Sequence, residues 1–321
     1  MKQHLPIKSE LKAKRIKWGD PQNAISWAYM KMLREHHDTR TIYEIDPYVE
    51  VYQFRDNLYG LFTQNCDGAG DVWMYLIIGP EKALLIDTGF GLGDTKALVE
   101  MLSDGRPVIV ANTHGHVDHA CGNCRFETVY CHEYEVPALE KQNSHMFDYL
   151  FDEKGNNIWL EFDKDDLPEF HPYEIVGVKD GYCFDLGDGY EVELIWLGGH
   201  AAGNSGFLDK KNRIFFPGDD LCSDVSGVGG GPRPGDAFPE YKNIETFFDN
   251  LERLIKRLDE FDHAFPSHFM VDLENRVLVE ELNACNEILE NPENCDFRAI
   301  GVASDTGIPR ERMFKYIHGF S

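Results

Sequence analysis

The stretch "NTHGHVDHACGN", residues 112–123, carries three histidines and one aspartate within the six positions from His114 to His119. Imidazole nitrogens and carboxylate oxygens are the ligands that zinc and similar cations use in proteins. The apolar run "PVIVANT" (107–113) leads into this stretch and is typical of a buried strand. A strand that ends in such a cluster would hold the donors at a rigid point, so the first hypothesis is a metal site.

Three later segments share this feature, because an apolar run breaks into Gly, Pro or Ser beside a polar donor. They are "LGGHAAG" (197–203), "FFPGDDL" (215–221) and "FPSHF" (265–269). Strand ends on one rim of a sheet sandwich can converge although they are far apart in sequence. The candidate donors are therefore His114, His116, Asp118, His119, His200, Asp219 and His268.

Seven donors are more than one cation needs. A structural zinc closes with four ligands, whereas a catalytic zinc leaves a position for water. With one carboxylate shared, the set supplies two cations and leaves room for a hydroxide between them. The sequence therefore favours a site for two metals.

The pattern of elements around these donors predicts an α/β fold. Residues 9–37 are predicted to be helical. From about residue 48, short strands and amphipathic helices alternate in two successive series, with "GDTKALVEMLSD" (93–104) predicted as a helix capped by Asp94. Two strand-rich halves with helices outside predict two sheets packed face to face between helical layers.

Composition excludes several classes of function. The net charge of −25 argues against nucleic acid and anionic membranes as partners, although residues 1–40 alone are basic. We expect that basic segment to fold back onto the acidic body. Neither a secretory signal nor an apolar run of transmembrane length is recognised, and the eight cysteines are scattered, which favours a cytoplasmic protein. The Cys121/Cys124 pair is interpreted as structural, with a redox or site-tuning role as the alternative.

The motifs together resemble one known family. H-x-H-x-D-H after an apolar strand, a later Gly-His, a Gly-Asp and a final Ser-His resemble the metallo-β-lactamase superfamily of hydrolases, and "LIDTG" (85–89) matches a further motif. The similarity is to the dinuclear branch with glyoxalase II, lactonases and a tRNA-processing nuclease, from about residue 70 to 270. The resemblance implies a four-layer αββα sandwich.

The resemblance also implies a role for each donor. It puts His114, His116 and His200 on the first metal and Asp118, His119 and His268 on the second. Asp219 would bridge the two metals, and Asp87 would orient the site by hydrogen bonding. The expected cofactors are two divalent ions, zinc first, with iron or manganese as alternatives. Flavodiiron relatives carry Glu at the position of His116, so a diiron redox role is disfavoured.

The domain organisation follows from the extent of the resemblance. Residues 1–47 are predicted to form an N-terminal helical extension that packs on the core. Residues 48–321 are predicted to form the metallo-β-lactamase-like domain, with insertions at about 143–175 and 223–242. The N-terminal segment and the first insertion are expected to shape access to the site, and either could contribute a homodimer contact.

The predicted activity is metal-dependent hydrolysis of an ester-like bond in a small molecule, such as a thioester or lactone, by a hydroxide bridged between two cations. Asp118 is the predicted proton carrier. Glutathione thioesters would call for a cationic pocket, for which Arg310, Arg312 and Lys315 are candidates. The alternatives are a persulfide dioxygenase with one iron, supported only by the cysteine pair, a phosphodiesterase of the same fold, and a non-catalytic binding protein.

Overall fold

The structure is a computed structural model that describes residues 7–16, 24–67, 70–223, 226–228, 235–302 and 309–315. Its helices are α1 (Ala24–His36), α2 (Thr95–Leu102), α3 (Val117–Ala120), α4 (Val136–Leu139), α5 (Ile244–Ile255) and α6 (Val277–Glu290). Its first strands are β1 (Lys14–Arg15), β2 (Thr41–Tyr43), β3 (Asp46–Arg55), β4 (Leu58–Thr63), β5 (Val72–Ile78), β6 (Ala83–Ile86), β7 (Val108–Ala111), β8 (Thr128–His132), β9 (Leu160–Glu161) and β10 (Glu174–Val178). The later strands are β11 (Cys183–Asp185), β12 (Glu191–Trp196), β13 (Ser205–Asp209), β14 (Ile214–Phe216), β15 (His263–Ala264), β16 (Leu273–Glu274), β17 (Phe297–Val302) and β18 (Pro309–Phe314).

Two mixed sheets form the body of the molecule. The first has eight strands in the order β10-β8-β7-β6-β5-β4-β3-β2, and the second has six in the order β11-β12-β13-β14-β15-β16. Strands β6, β7 and β8 run parallel, as do β14 and β15, while β2 to β6 and β11 to β14 form antiparallel meanders. Because the carboxyl ends of parallel strands meet at one edge, the segments after β6 and β7 emerge side by side.

The two sheets pack face to face through large apolar side chains. Along β5, Trp73, Tyr75 and Ile77 point to the inner face and join one buried cluster with Phe207 and Phe216 of the second sheet. The alternation follows from the two-residue period of a strand. Burying such aromatic surfaces is the main contribution to the stability of this interface.

Helices cover the outer face of each sheet. On the first sheet, Met74 and Leu76 of β5 cluster with Leu98 and Val99 of α2. On the second sheet, residues of β12 to β15 cluster with apolar positions of α5 and α6. The layers are thus helix, sheet, sheet and helix, which confirms the predicted αββα sandwich.

The N-terminal region differs from its sequence-based prediction. Residues 9–16 are not helical, since Lys14 and Arg15 pair with β9, and the helix of this region begins at Ala24. The side chain of Arg34 in α1 forms a buried ion pair with Glu50 of β3, at 2.8 Å between Nη2 and Oε1. Long-range pairing with β9 overrides the local helical pattern. The proposed division at residue 47 stays a prediction, although β2 already belongs to the first sheet.

The helix predicted over residues 93–104 is present as α2. Helix α2 is capped by Asp94, whose Oδ1 accepts from Ala97 N at 3.1 Å, as predicted. The β17–β18 hairpin was not predicted. The predicted insertion at 143–175 contains β9 and short 3-10 turns.

Within the described part of the chain, none of the helices has the length and apolar character that crossing a bilayer requires.

Asp46 provides a test of the electrostatics of the core. It is buried at the start of β3, where its carboxylate accepts hydrogen bonds from Tyr48 N at 3.1 Å and Thr95 Oγ1 at 3.2 Å. Burial raises the pKa of Asp46 to about 7. In the unfolded chain its pKa is about 3.9, so between about pH 4 and 7 the unfolded chain releases the proton first.

We therefore expect the free energy of unfolding to fall as pH rises through this window, by up to about 4 kcal/mol from Asp46. An Asp46→Asn variant, which has no proton to lose, should lack this contribution. The measurement is urea unfolding of wild type and variant from pH 4 to 8. Parallel stability curves across this range would contradict the assignment.

Candidate metal centre

The structure brings all seven predicted donors together at one rim of the sandwich. His114 and His116 follow β7, with His116 at the N-cap of α3, and Asp118 and His119 lie in α3 itself. The other three follow β12, β14 and β15 and are His200, Asp219 and His268. Their ligand atoms form three groups, each with all atoms within 4.8 Å of one another: His114/His116/His200, His114/His119/Asp219 and Asp118/His119/His268.

The first donor group, defined here as His114, His116 and His200, is built from three imidazoles. His116 Nδ1 lies 2.9 Å from His114 Nε2 and 2.9 Å from His200 Nε2. The second donor group, defined as Asp118, His119 and His268, mixes imidazole and carboxylate. His268 Nε2 lies 3.3 Å from His119 Nε2 and 3.5 Å from Asp118 Oδ2.

Asp219 lies between the two groups. Its Oδ2 is 3.5 Å from His200 Nε2 of the first group and 3.2 Å from His268 Nε2 of the second. Its Oδ1 is 3.3 Å from His119 Nε2. The carboxylate thus faces both groups at once, in the position that a bridging ligand needs.

The outer nitrogens of the rings are fixed by acceptors, which turns the inner nitrogens toward the centre. His200 Nδ1 donates to Gly227 O at 3.0 Å, and His268 Nδ1 donates to Asp71 O at 2.9 Å. His119 Nδ1 donates to Asp87 Oδ2 at 2.9 Å. In neutral rings these bonds leave Nε2 with a lone pair that faces the site.

Asp87 is the hub of the network behind the donors. It is fully buried after β6, and its Oδ1 accepts from Thr113 N at 2.8 Å. The Thr113 hydroxyl donates to Asp87 Oδ2 at 2.8 Å, so the same hydroxyl can accept from His114 Nδ1 at 3.0 Å. Asp87 therefore contacts the His119 ring directly and the His114 ring through Thr113, an arrangement that agrees with the orienting role predicted for it.

The two donor groups differ in their protonation. Burial lowers the pKa of His114, His116 and His200, and neighbouring imidazoles lower it further. Burial also disfavours charge on His119 and His268, but the carboxylates of Asp219 and Asp118 outweigh it and raise both pKa values, that of His268 to about 9. The first group therefore presents neutral imidazoles, and the second carries positive charge against its carboxylates.

The geometry fits divalent cations. Tetrahedral zinc with bonds of about 2.0–2.1 Å sets neighbouring ligand atoms about 3.3 Å apart, close to the spacings in both groups. In the first group, His116 Nδ1 faces two inner nitrogens of neutral rings, and one proton cannot bridge all three well. Among the described residues, the buried Asp219 Oδ1 accepts no hydrogen bond of good geometry, although His119 Nε2 lies 3.3 Å away. A cation in each group would satisfy these atoms.

Other residues singled out in the sequence lie outside the donor groups. Asp220 points away from them, because its Oδ1 accepts from His200 N at 3.2 Å and its Oδ2 accepts from Asn204 Nδ2. His132 stacks on Trp196. Cys121 and Cys124 are buried, and burial raises the pKa of both thiols, which favours the structural interpretation.

Sequence reasoning missed the residues that hold the donors in place. Glu135 accepts hydrogen bonds from the backbone on both sides of the first group, and Arg15, Asn65 and Asp71 form a chain behind the second. No spacing rule marks them, since Glu135 contacts backbone amides 20 and 68 positions away, and Asn65 contacts the Asp118 side chain 53 positions away. The sequence does offer one sign of this supporting network, because Thr113, which links Asp87 to His114, directly precedes His114.

A sheet sandwich between helices with an imidazole and carboxylate site on its rim defines a class of metal-site proteins. The sequence matches the family described as "Metallo-beta-lactamase superfamily" over residues 67–254, more than half of the chain. This protein belongs to the metallo-beta-lactamase superfamily. The matched range includes six of the seven donors, and His268 lies beyond it.

Individual relatives are more distant. The chain is 26% identical over 171 residues to a Haemophilus influenzae protein named hydroxyacylglutathione hydrolase GloC. The alignment covers 52% of this chain and 70% of that protein. A metallo-beta-lactamase from Pontibacter korlensis aligns with a TM-score of 0.50 at 19% identity, over 74% of this chain and 99% of its own. A metallo-beta-lactamase family protein from Thermus thermophilus aligns with a TM-score of 0.52 at 21% identity, over 76% of this chain and 84% of its own. The structural matches show a shared fold.

The central position of Asp87 predicts that its loss affects both donor groups. We expect Asp87→Asn to weaken zinc binding at each group by about 10- to 100-fold, because the amide replaces a charged acceptor behind His119 and His114. Asn tolerates the left-handed backbone of this residue, whose φ is 62°. Zinc affinities from chelator competition provide the measurement.

Asp188→Asn is the matched control, since Asp188 is exposed and also has a positive φ, of 50°. This variant should bind zinc like the wild type. Equal affinities in Asp87→Asn and wild type would remove the orienting role of Asp87.

Proposed function

We propose that this protein is a metal-dependent hydrolase that holds two divalent cations, zinc first, and cleaves an ester-like bond in a small molecule. The observation that supports this most directly is the place of Asp219 between two complete donor groups. A single-metal site would have no need for a carboxylate shared between a three-imidazole group and a mixed group. His114, His116 and His200 would hold one cation, Asp118, His119 and His268 the other, and Asp219 both.

Bound in this way, two divalent cations supply Lewis acidity, which activates water at neutral pH and polarises a carbonyl or phosphoryl oxygen. The chain then needs no side-chain nucleophile. The two nearby serines agree with this, since Ser205 is buried and donates to Gly203 O at 2.9 Å, and Ser267 is also buried. Both are structural.

Asp118 is the residue placed to move a proton. Its Oδ2 faces His268 and accepts from Asn65 Nδ2 at 3.2 Å, so this oxygen is fixed. Its Oδ1 has no hydrogen-bond partner among the described residues. Because the side chain is partly exposed, Oδ1 can take a proton from water and pass it to the leaving group.

The proposed substrate class is a thioester or a lactone. The relative named hydroxyacylglutathione hydrolase favours a thioester, and a lactone presents a similar carbonyl. The cationic cluster predicted near the C-terminus does not support a pocket for glutathione, because Lys315 pairs with Glu287 at 2.6 Å and Asp296 at 3.6 Å. The side chains of Arg310 and Arg312 lie outside the described residues. The acidic body favours a small substrate over nucleic acid.

Metal analysis with a substrate panel tests the proposal. We expect two equivalents of zinc in protein loaded with excess zinc and desalted, and hydrolysis of a thioester or lactone but not of a phosphodiester. A chelator should abolish activity, and added zinc should restore it. One equivalent of iron with oxygen-dependent turnover of a persulfide would instead support the dioxygenase, and inactivity across the panel would support a binding protein.

The proton-carrying role predicts the behaviour of Asp118→Asn. In protein shown to retain two metals, kcat should fall by about 10²- to 10⁴-fold, because the amide cannot accept the proton. Asp148→Asn, an exposed change on the neighbouring insertion, is the control and should leave kcat unaltered. If kcat of the metal-loaded Asp118→Asn protein matches that of the wild type, another group carries the proton.

A further inference from the structure

A buried carboxylate holds the two loops of the first donor group together. Glu135 lies at the N-cap of α4, with only 3% of its surface exposed. Its Oε2 accepts from Gly115 N at 2.7 Å, and its Oε1 accepts from Gly203 N at 2.7 Å. Gly115 separates His114 from His116, and Gly203 follows His200 by three residues. One side chain thus joins the segments that carry all three imidazoles.

This contact depends on close approach of the backbone. A Cβ on Gly115 would lie 2.9 Å from Glu135 Oε2, and a Cβ on Gly203 would lie 2.8 Å from Glu135 Cγ. A side chain at either position would push the carboxylate away from the amides. Two charge-assisted hydrogen bonds in a buried setting are strong enough to fix the distance between the loops.

The second donor group is supported from the opposite end of the chain. Arg15 of β1 reaches in from the N-terminal segment, and its side chain is only 3% exposed. It forms an ion pair with Asp71 and donates to Asn65 O at 3.4 Å. Asp71 Oδ1 in turn accepts from Asn65 N at 3.1 Å, which locks these two residues together.

Asp71 and Asn65 are the residues that contact the donors. Asp71 O accepts from His268 Nδ1 at 2.9 Å, and Asn65 Nδ2 donates to Asp118 Oδ2 at 3.2 Å. Arg15 is therefore one residue removed from two of the three members of the second group. Without its charge, the Asp71 carboxylate would lose its ion-pair partner in a largely buried position.

From these contacts we propose that Glu135 and Arg15 are positioning residues that support the two donor groups separately, so that either metal can be lost while the other is kept. The inference rests on the proposed two-metal function and adds to it. Neither residue touches a donor side chain or substrate. The N-terminal segment thereby becomes part of the metal centre, although it lies outside the range of the family match.

The test compares Glu135→Gln and Arg15→Met in the full chain. Glutamine has the shape of glutamate, but its amide N–H would face one of the two backbone N–H groups. Methionine keeps the apolar stem of arginine without the guanidinium. Zinc alone is the probe. Its two affinities are measured by chelator competition, and ¹⁵N NMR of the histidine rings shows which imidazoles respond to zinc.

We expect Glu135→Gln to weaken one of the two sites by about 10- to 100-fold, with the lost NMR response confined to His114, His116 and His200. Arg15→Met should weaken the other site by a similar factor, with the loss confined to His119 and His268. Arg15→Lys, which keeps the charge, should recover part of that affinity. Glu140→Gln and Lys14→Met are matched exposed controls and should bind zinc as the wild type does.

Two results would overturn the inference while leaving the two-metal function intact. One is that each variant weakens both sites equally, and the other is that neither variant weakens any site. Wild-type protein that binds no zinc would instead overturn the proposed function, and this inference with it. Should Glu135→Gln fail to fold in the absence of metal, Gly115→Ala carries the same expectation, because it displaces Oε2 from the same amide.

Discussion

The constraint on which this molecule depends is the crowding of five imidazoles and two carboxylates at one point of the rim, where His114 and His119 are fully buried and His116 is exposed. Ring nitrogens that carry lone pairs repel one another at 2.9 Å unless a proton or a cation lies between them. Such an arrangement persists only if the surrounding structure holds each ring against that repulsion. The two-sheet core provides this rigidity, because every donor follows a strand whose inner residues are packed in the core or lies in the short helix directly after one.

Repulsion is relieved differently in the two donor groups. In the first, desolvation and the neighbouring imidazoles lower the pKa of the three rings, which keeps them neutral. In the second, Asp118 and Asp219 favour protonated rings, so a cation that binds there replaces protons rather than filling a neutral cage. The same fold thus offers two neighbouring donor groups with different charge.

Local sequence signals predicted the donors but not their supports. A histidine at the end of an apolar strand is visible in the sequence, and so is the cap at Asp94. Glu135 and Arg15 are visible only in three dimensions, because their partners are backbone amides or residues far away along the chain. The same reason explains the error over residues 9–16, where pairing with β9 overrides a helical pattern, and the unpredicted β17–β18 hairpin, whose register comes from cross-strand pairing.

Each donor group takes members from both halves of the chain, which couples metal binding to sheet packing. His114, His116, Asp118 and His119 follow the first sheet, whereas His200, Asp219 and His268 follow the second. Neither half alone can complete a group. A cation that binds only the assembled site must therefore stabilise the packed sandwich by mass action, since the separated sheets present at most partial sets of ligands. Asp219 strengthens this coupling, because one carboxylate of the second sheet faces imidazoles of the first in both groups.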